Sequence, residues 1–434
     1  MVILFRLENF RSIKSVQEIS LEASGANGRP DNFSEIETKG KPVRVLKSAV
    51  VYGPNASGKS NVILGLHALR WLVLNSVQLK LDENIPCYEP FKLDPVTTSL
   101  PVRFELQFIH RHIRYEYEIA FTQKAIQTER MTYYPEGRRS LLFEREVSAG
   151  GPDRVLVRKS IKKSQIPGLF HNQLFLSRFG SLEPHELFTP LYQFFQELEV
   201  WNAADAIRMR QLRQRITEDM LHLPSDAPFF QQLNQLIVSA DTGIQAVRVE
   251  EAQEDEFRFP DFLPGSLRTE FIRQNRVRTF ARHAIYKEGK EAGYTEFDFE
   301  EESAGTQVLF GLGGIALEVL HKGGVLIFDE LDNSLHPDLV RFLVRLFLNP
   351  NSNPHHAQLV FATHEVSLLD KGLFRKDQIW FTQKNRQGET DLYGLADFEG
   401  IRDDAPFDRL YMNGKFQALP RVKASVFLHK PASA

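Results

Sequence analysis

The chain has 434 residues, enough for one large or two to three ordinary domains around a substantial hydrophobic core. Its 53 basic and 56 acidic side chains leave a formal net charge of -3, which excludes a global positive field for nucleic acid and confines any such contact to local clusters. The single cysteine, Cys87, excludes an intramolecular disulfide, and no charged-then-apolar leader precedes the chain, so a cytoplasmic location is expected.

In chain order, Val2-Ile3-Leu4-Phe5, Ser15 to Leu21 and Lys47 to Tyr52 read as strands. The last leads into Gly53-Pro54-Asn55-Ala56-Ser57-Gly58-Lys59-Ser60, which has the phosphate-loop pattern GxxxxGK[ST]. Such a loop wraps phosphates with successive backbone N–H groups, here those of Asn55, Ala56, Ser57 and Gly58, and glycines permit the tight curvature. Lys59 brings positive charge to the outer phosphates and Ser60 a hydroxyl to Mg²⁺. The helix expected from Asn61 onward points its positive end at a nucleoside triphosphate.

Val62 to Leu79 has helical periodicity. Its apolar part, Val62 to Leu74, is interrupted by His67 and Arg70 and is too short for a bilayer, so no membrane insertion is expected. From Val102 to Val157 the pattern alternates, with half-buried strands at Phe104 to Phe108 and Tyr115 to Ile119 and a turn at Pro135-Glu136-Gly137, which predicts an antiparallel lobe. Glu183 to Ala240 is helical and polar without sustained heptads, a helical insertion. A loop-rich stretch around Pro260 to Gly265 precedes renewed alternation at Arg278 to Tyr286 and Tyr294 to Phe299. Helix and strand then alternate at Gln307 to Leu320, Val325 to Phe328, Asp338 to Leu348 and Gln358 to Ala362, as suits a parallel sheet. The fold class expected is α/β, with a parallel phosphate-loop sheet, an antiparallel β lobe and a helical insertion. The expected division is residues 1–180, 181–243 and 244–434.

Val325-Leu326-Ile327-Phe328-Asp329-Glu330 is an apolar run ending in two carboxylates, as when a buried strand delivers acids to the carboxyl edge of a sheet. Asp329 is placed to hold Mg²⁺ through water. Glu330 is placed to orient or deprotonate an attacking water, since phosphoryl transfer to water needs positioning more than covalent chemistry.

Leu331 to Pro337 follows directly, and Phe361-Ala362-Thr363-His364 ends another apolar strand, an arrangement that resembles ABC-type ATPases. The resemblance implies ATP and Mg²⁺ as cofactors, Asp332 as a residue reaching across a dimer, and His364 as a γ-phosphate sensor. It also calls for a serine–glycine segment at a helix start. Glu302-Ser303-Ala304-Gly305-Thr306-Gln307 fits, though it departs from the common LSGGQ form. Ser303 and Gly305 would contact the nucleotide of the opposite protomer. Leu7-Glu8-Asn9-Phe10-Arg11-Ser12-Ile13 is similar to the start of SMC and RecF heads, making Arg11 a cofactor contact. In Asn172-Gln173-Leu174-Phe175, Gln173 would be the glutamine that helps to hold the metal.

These motifs, with Asn61, Glu89-Pro90-Phe91-Lys92-Leu93 and Tyr411-Met412-Asn413-Gly414-Lys415-Phe416, resemble the stand-alone bacterial ATPases of abortive-infection and restriction-linked loci, the AbiLi and RloA kind. That resemblance implies an ATP-dependent homodimer in phage defence, working beside a separate nuclease or toxic effector. Only 70 residues follow His364, and they hold no acidic cluster suited to a fused nuclease, Asp397, Glu399, Asp403 and Asp404 reading as a solvated loop. Basic clusters at Arg158-Lys159 with Lys162-Lys163, Arg208 to Arg215 and Arg268 to Arg282 read as solvated faces, a phosphate-backbone groove or a seat for an acidic partner. Two rivals stay open: a RecF-like ATPase clamping DNA, and an ATP-bound scaffold inhibiting a toxin.

Overall fold

The computed structural model describes residues 1–25, 28–146, 154–158, 168–181, 184–224, 227–240, 242–260 and 262–420. The chain forms two compact units, Met1–Val200 with Val360–Ala434, and Trp201–Leu359. Architecture is mixed α/β in both.

In the first unit a seven-stranded antiparallel sheet has the order Arg154–Val157, Ser140–Glu146, Ile126–Tyr133, Ile113–Phe121, Val102–His110, Val2–Glu8, Gln17–Ser20. Alternation along these strands places Phe5, Phe104, Phe108, Tyr117 and Phe121 in the core, where the rings of Phe108 and Phe194 stack at 4.2 Å. A second sheet carries the phosphate loop. Its strand Ser48–Tyr52 is fully buried and pairs in parallel with Ile379–Lys384, which turns back antiparallel to Thr390–Gly394. On its other side Thr363 N donates to Val51 O at 3.2 Å. A continuous apolar run in the strand matches burial on both faces.

The loop strand leads into the helix Lys59–Asn75, which ends where Ser76–Gln78 tightens to a 3₁₀ turn, four residues short of the periodicity read from the sequence. Within the span 183–240 the structure has helices Thr189–Gln196, Ala206–Leu221 and Pro228–Ser239, but also a strand, Leu198–Asn202, that a polar, helix-like pattern conceals.

The second unit holds a three-stranded antiparallel sheet, Ile244–Glu251, Val277–Lys287 and Lys290–Asp298. Between its first two strands a helix, Gly265–Asn275, follows the Pro-rich loop. The helix Ala304–Lys322 buries Leu309, Phe310, Leu312 and Ile315. It, rather than Val62 to Leu74, is long and apolar enough to cross a membrane, but 67% of its apolar window is buried inside the protein, as befits a core helix. The strand Val325–Asp329 is buried throughout and precedes the helix Pro337–Leu348.

Candidate nucleotide site

Two features hold the loop's unusual path. Gly58 caps the helix with φ 113° and Ala56 sits at φ 62°, so the chain turns through left-handed conformations at both positions. Asn55 and Ala56 are exposed, Ser57, Gly58 and Lys59 buried, and Ser60 and Asn61 half-buried. The Lys59 ammonium donates to Gly53 O at 2.9 Å and Pro54 O at 3.3 Å and lies 3.4 Å from His364 Nδ1. A buried ammonium needs such acceptors, and phosphate oxygens are a stronger set of the same kind.

His364 leaves the sheet directly after the buried Thr363 and is exposed. It joins Gly53 to Ser57, Val366, Gln383, Lys384, Tyr411, Met412, Leu419 and Pro420 around a cavity of about 840 Å³. Tyr411 reaches this wall because its ring stacks on Phe381 at 5.8 Å and its hydroxyl donates to Ala418 O at 2.8 Å. The closing segment singled out in the sequence therefore lines the same cavity as the phosphate loop.

Arg11 occupies a turn in which Asn9 and Arg11 both have positive φ, 53° and 54°. Its guanidinium pairs with Glu89 at 2.8 Å while Arg11 N donates to Glu89 O at 2.7 Å. Asn9 Oδ1 accepts from Phe91 N at 3.1 Å. The Asn-Phe-Arg turn and the Glu89 stretch, read separately in the sequence, are one structure. The Arg11–Glu89 pair is more than a third exposed on both sides, so it is weak and exchangeable.

Gln173, to which the resemblance gives a metal role, has its side-chain amide on backbone groups. It is buried, its Nε2 donates to Val77 O at 3.0 Å and Leu79 O at 2.9 Å, and its Oε1 accepts from Phe170 N at 3.2 Å. Arg145, fully buried, bonds Gln173 O and Phe170 O. The amide is committed to backbone, which makes it a tie between segments.

In the second unit Asp329 is buried at 1% exposure, with Oδ2 accepting from Asn202 Nδ2 at 3.2 Å and its backbone O accepting from Ala203 N at 3.1 Å. Glu330 follows at φ 54°. A left-handed glutamate costs about 1–2 kcal/mol, a form of strain that concentrates at functional sites. Asn333 N donates to Glu330 O at 2.9 Å and Leu335 N to Asp332 O at 3.3 Å, closing the turn that carries half-buried Asp332.

Ser303 is exposed and caps the helix Ala304–Lys322, its Oγ accepting from Thr306 N at 3.1 Å. A Cβ on Gly305 would lie 2.6 Å from Ser334 O. The start of this helix and the turn after Glu330 are thus in direct contact within the second unit.

Several arginines of the clusters are ion-paired within the chain. Arg213 pairs with Glu300 at 3.0 Å, Arg278 with Glu256 at 3.2 Å and Arg282 with Glu296 at 3.2 Å, while Arg268 donates to Leu263 O and Pro260 O. Of the other cluster, Arg158 stacks over Tyr133 at 5.5 Å, and Lys159, Lys162 and Lys163 lie outside the described residues.

The family model described as "AAA domain, putative AbiEii toxin, Type IV TA system" matches residues 48–370, from the loop strand to just past His364. No curated protein matches the chain. Among solved structures the chain is similar to the SMC head domain from Thermotoga maritima, at 16% identity over 91% of this chain and 98% of that one, with a TM-score of 0.37. It is also similar to the Smc head domain with an extended coiled coil bound to the C-terminal domain of ScpA derived from Pyrococcus furiosus, at 11% identity over 96% of this chain and 99% of that one, with a TM-score of 0.38.

Proposed function

The chain belongs to that AAA-domain family, and we propose that it is an ATP-binding and ATP-hydrolysing switch that works as a pair of copies. The observation that carries this reading is the Lys59 ammonium, held at the mouth of a preformed phosphate loop with His364 at 3.4 Å. A triphosphate entering there replaces the neutral carbonyls Gly53 O and Pro54 O with charged oxygens.

The donor chemistry fits Mg²⁺. The Ser60 hydroxyl and the Asp329 carboxylate, the latter through water, are hard oxygen donors, and Mg²⁺ beside a triphosphate takes its remaining ligands from phosphate and water. That agrees with the described residues having no group of three or more His, Cys, Asp or Glu arranged for a metal. When bound, the ion offsets charge on the outer phosphates. Glu330 positions the attacking water and accepts its proton, and Lys59 and His364 stabilise the γ-phosphate. Backbone N–H groups between Asn55 and Ser60 hold the remaining oxygens, those of Ser57 and Asn61 already donating to Pro54 O and Gly58 O, and Arg11, released from Glu89, adds a further charge.

Ser303, Gly305 and Asp332 act on the partner's nucleotide, so the triphosphate stabilises the closed pair and hydrolysis reopens it. Opening or closing controls a separate nuclease or toxin effector in anti-phage defence, the role that the resemblance implies. Ion pairing within the arginine clusters favours this switch over a DNA clamp. Titration of a fluorescent ATP analogue with Mg²⁺ tests the reading: the wild type binds and Lys59→Ala does not. Equal affinity for the two proteins would overturn it.

A further inference from the structure

The back of the phosphate loop is gripped by side chains from far along the chain. Thr382 and Thr390 stand on the two strands Ile379–Lys384 and Thr390–Gly394, beyond the residues that match the family model, and both are fully buried. Thr382 Oγ1 donates to Tyr52 O at 3.3 Å and shares a 2.6 Å hydrogen bond with Ser57 Oγ. Thr390 Oγ1 donates to Ser57 O at 2.8 Å and lies 2.7 Å from Ser12 Oγ, which in turn accepts from Asn61 Nδ2 at 2.5 Å. Thr390 N also donates to Ser12 O at 2.7 Å. One chain of hydrogen bonds therefore runs from the end of the loop strand, behind Ser57, through the Arg11 turn and back to the first turn of the helix.

The two glycines of the motif meet these threonines. A Cβ on Gly53 would strike Thr382 Oγ1 and come within 2.6 Å of Ser57 Oγ, and one on Gly58 would strike the side chain of Thr390. Sterically and by hydrogen bonding, the threonines fix the curvature that aims the loop's N–H groups outward. The hydroxyls do this at Ser57 from both sides: Thr382 holds the side chain and Thr390 the carbonyl. A carbonyl held backward leaves its peptide plane, and hence the next N–H, fixed toward the anion.

We propose that Thr382 and Thr390 are positioning residues for triphosphate binding, acting through Ser57 and, by way of Ser12, through Asn61. The proposal rests on the nucleotide reading above. Preorganised donors bind tightly because no ordering cost is charged at the moment of binding.

The test compares Thr382→Val and Thr390→Val, which keep shape and lose the hydroxyl, with Thr382→Ser and Thr390→Ser, which keep it. Affinities for the fluorescent ATP analogue and for inorganic pyrophosphate as competitor are measured beside thermal melting. Losing the two hydrogen bonds that each hydroxyl makes should weaken both ligands about tenfold in each valine variant, while the serine variants stay within about twofold of wild type. Valine variants that bind both ligands as wild type does, or serine variants that lose as much as valine, would overturn the proposal. Should a valine variant fail to fold, Ser12→Ala at the half-buried end of the chain takes its place, with a severalfold loss expected and no change contradicting the idea. Wild-type protein that binds neither ligand, or a Lys59→Ala variant that binds both, would sink the nucleotide reading itself, so the two failures are distinguishable.

Discussion

Lys59 Nζ lies 3.4 Å from His364 Nδ1, although the two residues are 305 positions apart in sequence. An ammonium has only donors, so the histidine must present the lone pair of Nδ1 and carry its proton on Nε2 when neutral. That leaves Nε2–H as a donor for a γ-phosphate oxygen already attracted by Lys59.

His364→Ala should therefore leave triphosphate binding nearly intact and slow turnover. Removing one electrostatic contact to the transferring group costs about tenfold to a thousandfold in kcat. Steady-state phosphate release checks this, and a kcat within twofold of wild type would remove His364 from the γ-phosphate.

Gly305→Ala tests the contact with Ser334. The new methyl would meet a backbone oxygen at 2.6 Å, which no rotamer change can relieve. We expect a loss of about 1–3 kcal/mol in a denaturant titration, from overpacking at a site that cannot move aside. Gly305→Ala with undiminished stability would mean that the helix start shifts freely away from Ser334.

Gln173 should behave as a structural residue. Gln173→Ala removes three hydrogen bonds to backbone, one buried and two part-buried, and is expected to cost about 2–4 kcal/mol. Nucleotide affinity of the folded protein, measured well below its melting temperature, should stay close to wild type. A large affinity loss without loss of stability would return Gln173 to the metal site.

Acid should weaken the first unit through His110. Burial, with the positive charges of the N-terminus and then Arg111 adding to it, lowers its pKa from 6.5 to about 4. The unfolded chain then binds a proton that the folded one does not, so this contribution is complete above the unfolded pKa, declines as pH falls from 6.5 towards about 4, and falls no further below that. Urea midpoints at about pH 7.5 and about pH 5 should differ more for wild type than for His110→Gln. An equal difference in both would locate the acid sensitivity elsewhere.

The phosphate loop was legible in the sequence because its chemistry is local: eight consecutive residues supply the curvature, the charge and the hydroxyl. The apolar runs at Ser48–Tyr52 and Val325–Asp329 were legible because strands buried on both faces leave an uninterrupted signature. Thr382 and Thr390 were not, since a threonine in a strand is ordinary and its role arises only where the sheet sets it behind Ser57, more than 300 positions earlier. Gln173 shows the reverse case. A glutamine in a suggestive motif has the same atoms whether they face a metal or a backbone, and only packing assigns them. The strand Leu198–Asn202 was hidden because it is five residues long and only Leu198 in it is buried, too short a signal to stand out between two helices.

The central claim, that two copies close on a triphosphate and reopen by hydrolysis, is tested most directly by light scattering on Glu330→Gln with and without ATP and Mg²⁺. The account predicts a monomer without nucleotide and a long-lived dimer with it, abolished when Lys59→Ala is added. A Glu330→Gln protein that binds ATP yet keeps the mass of a single chain would contradict it.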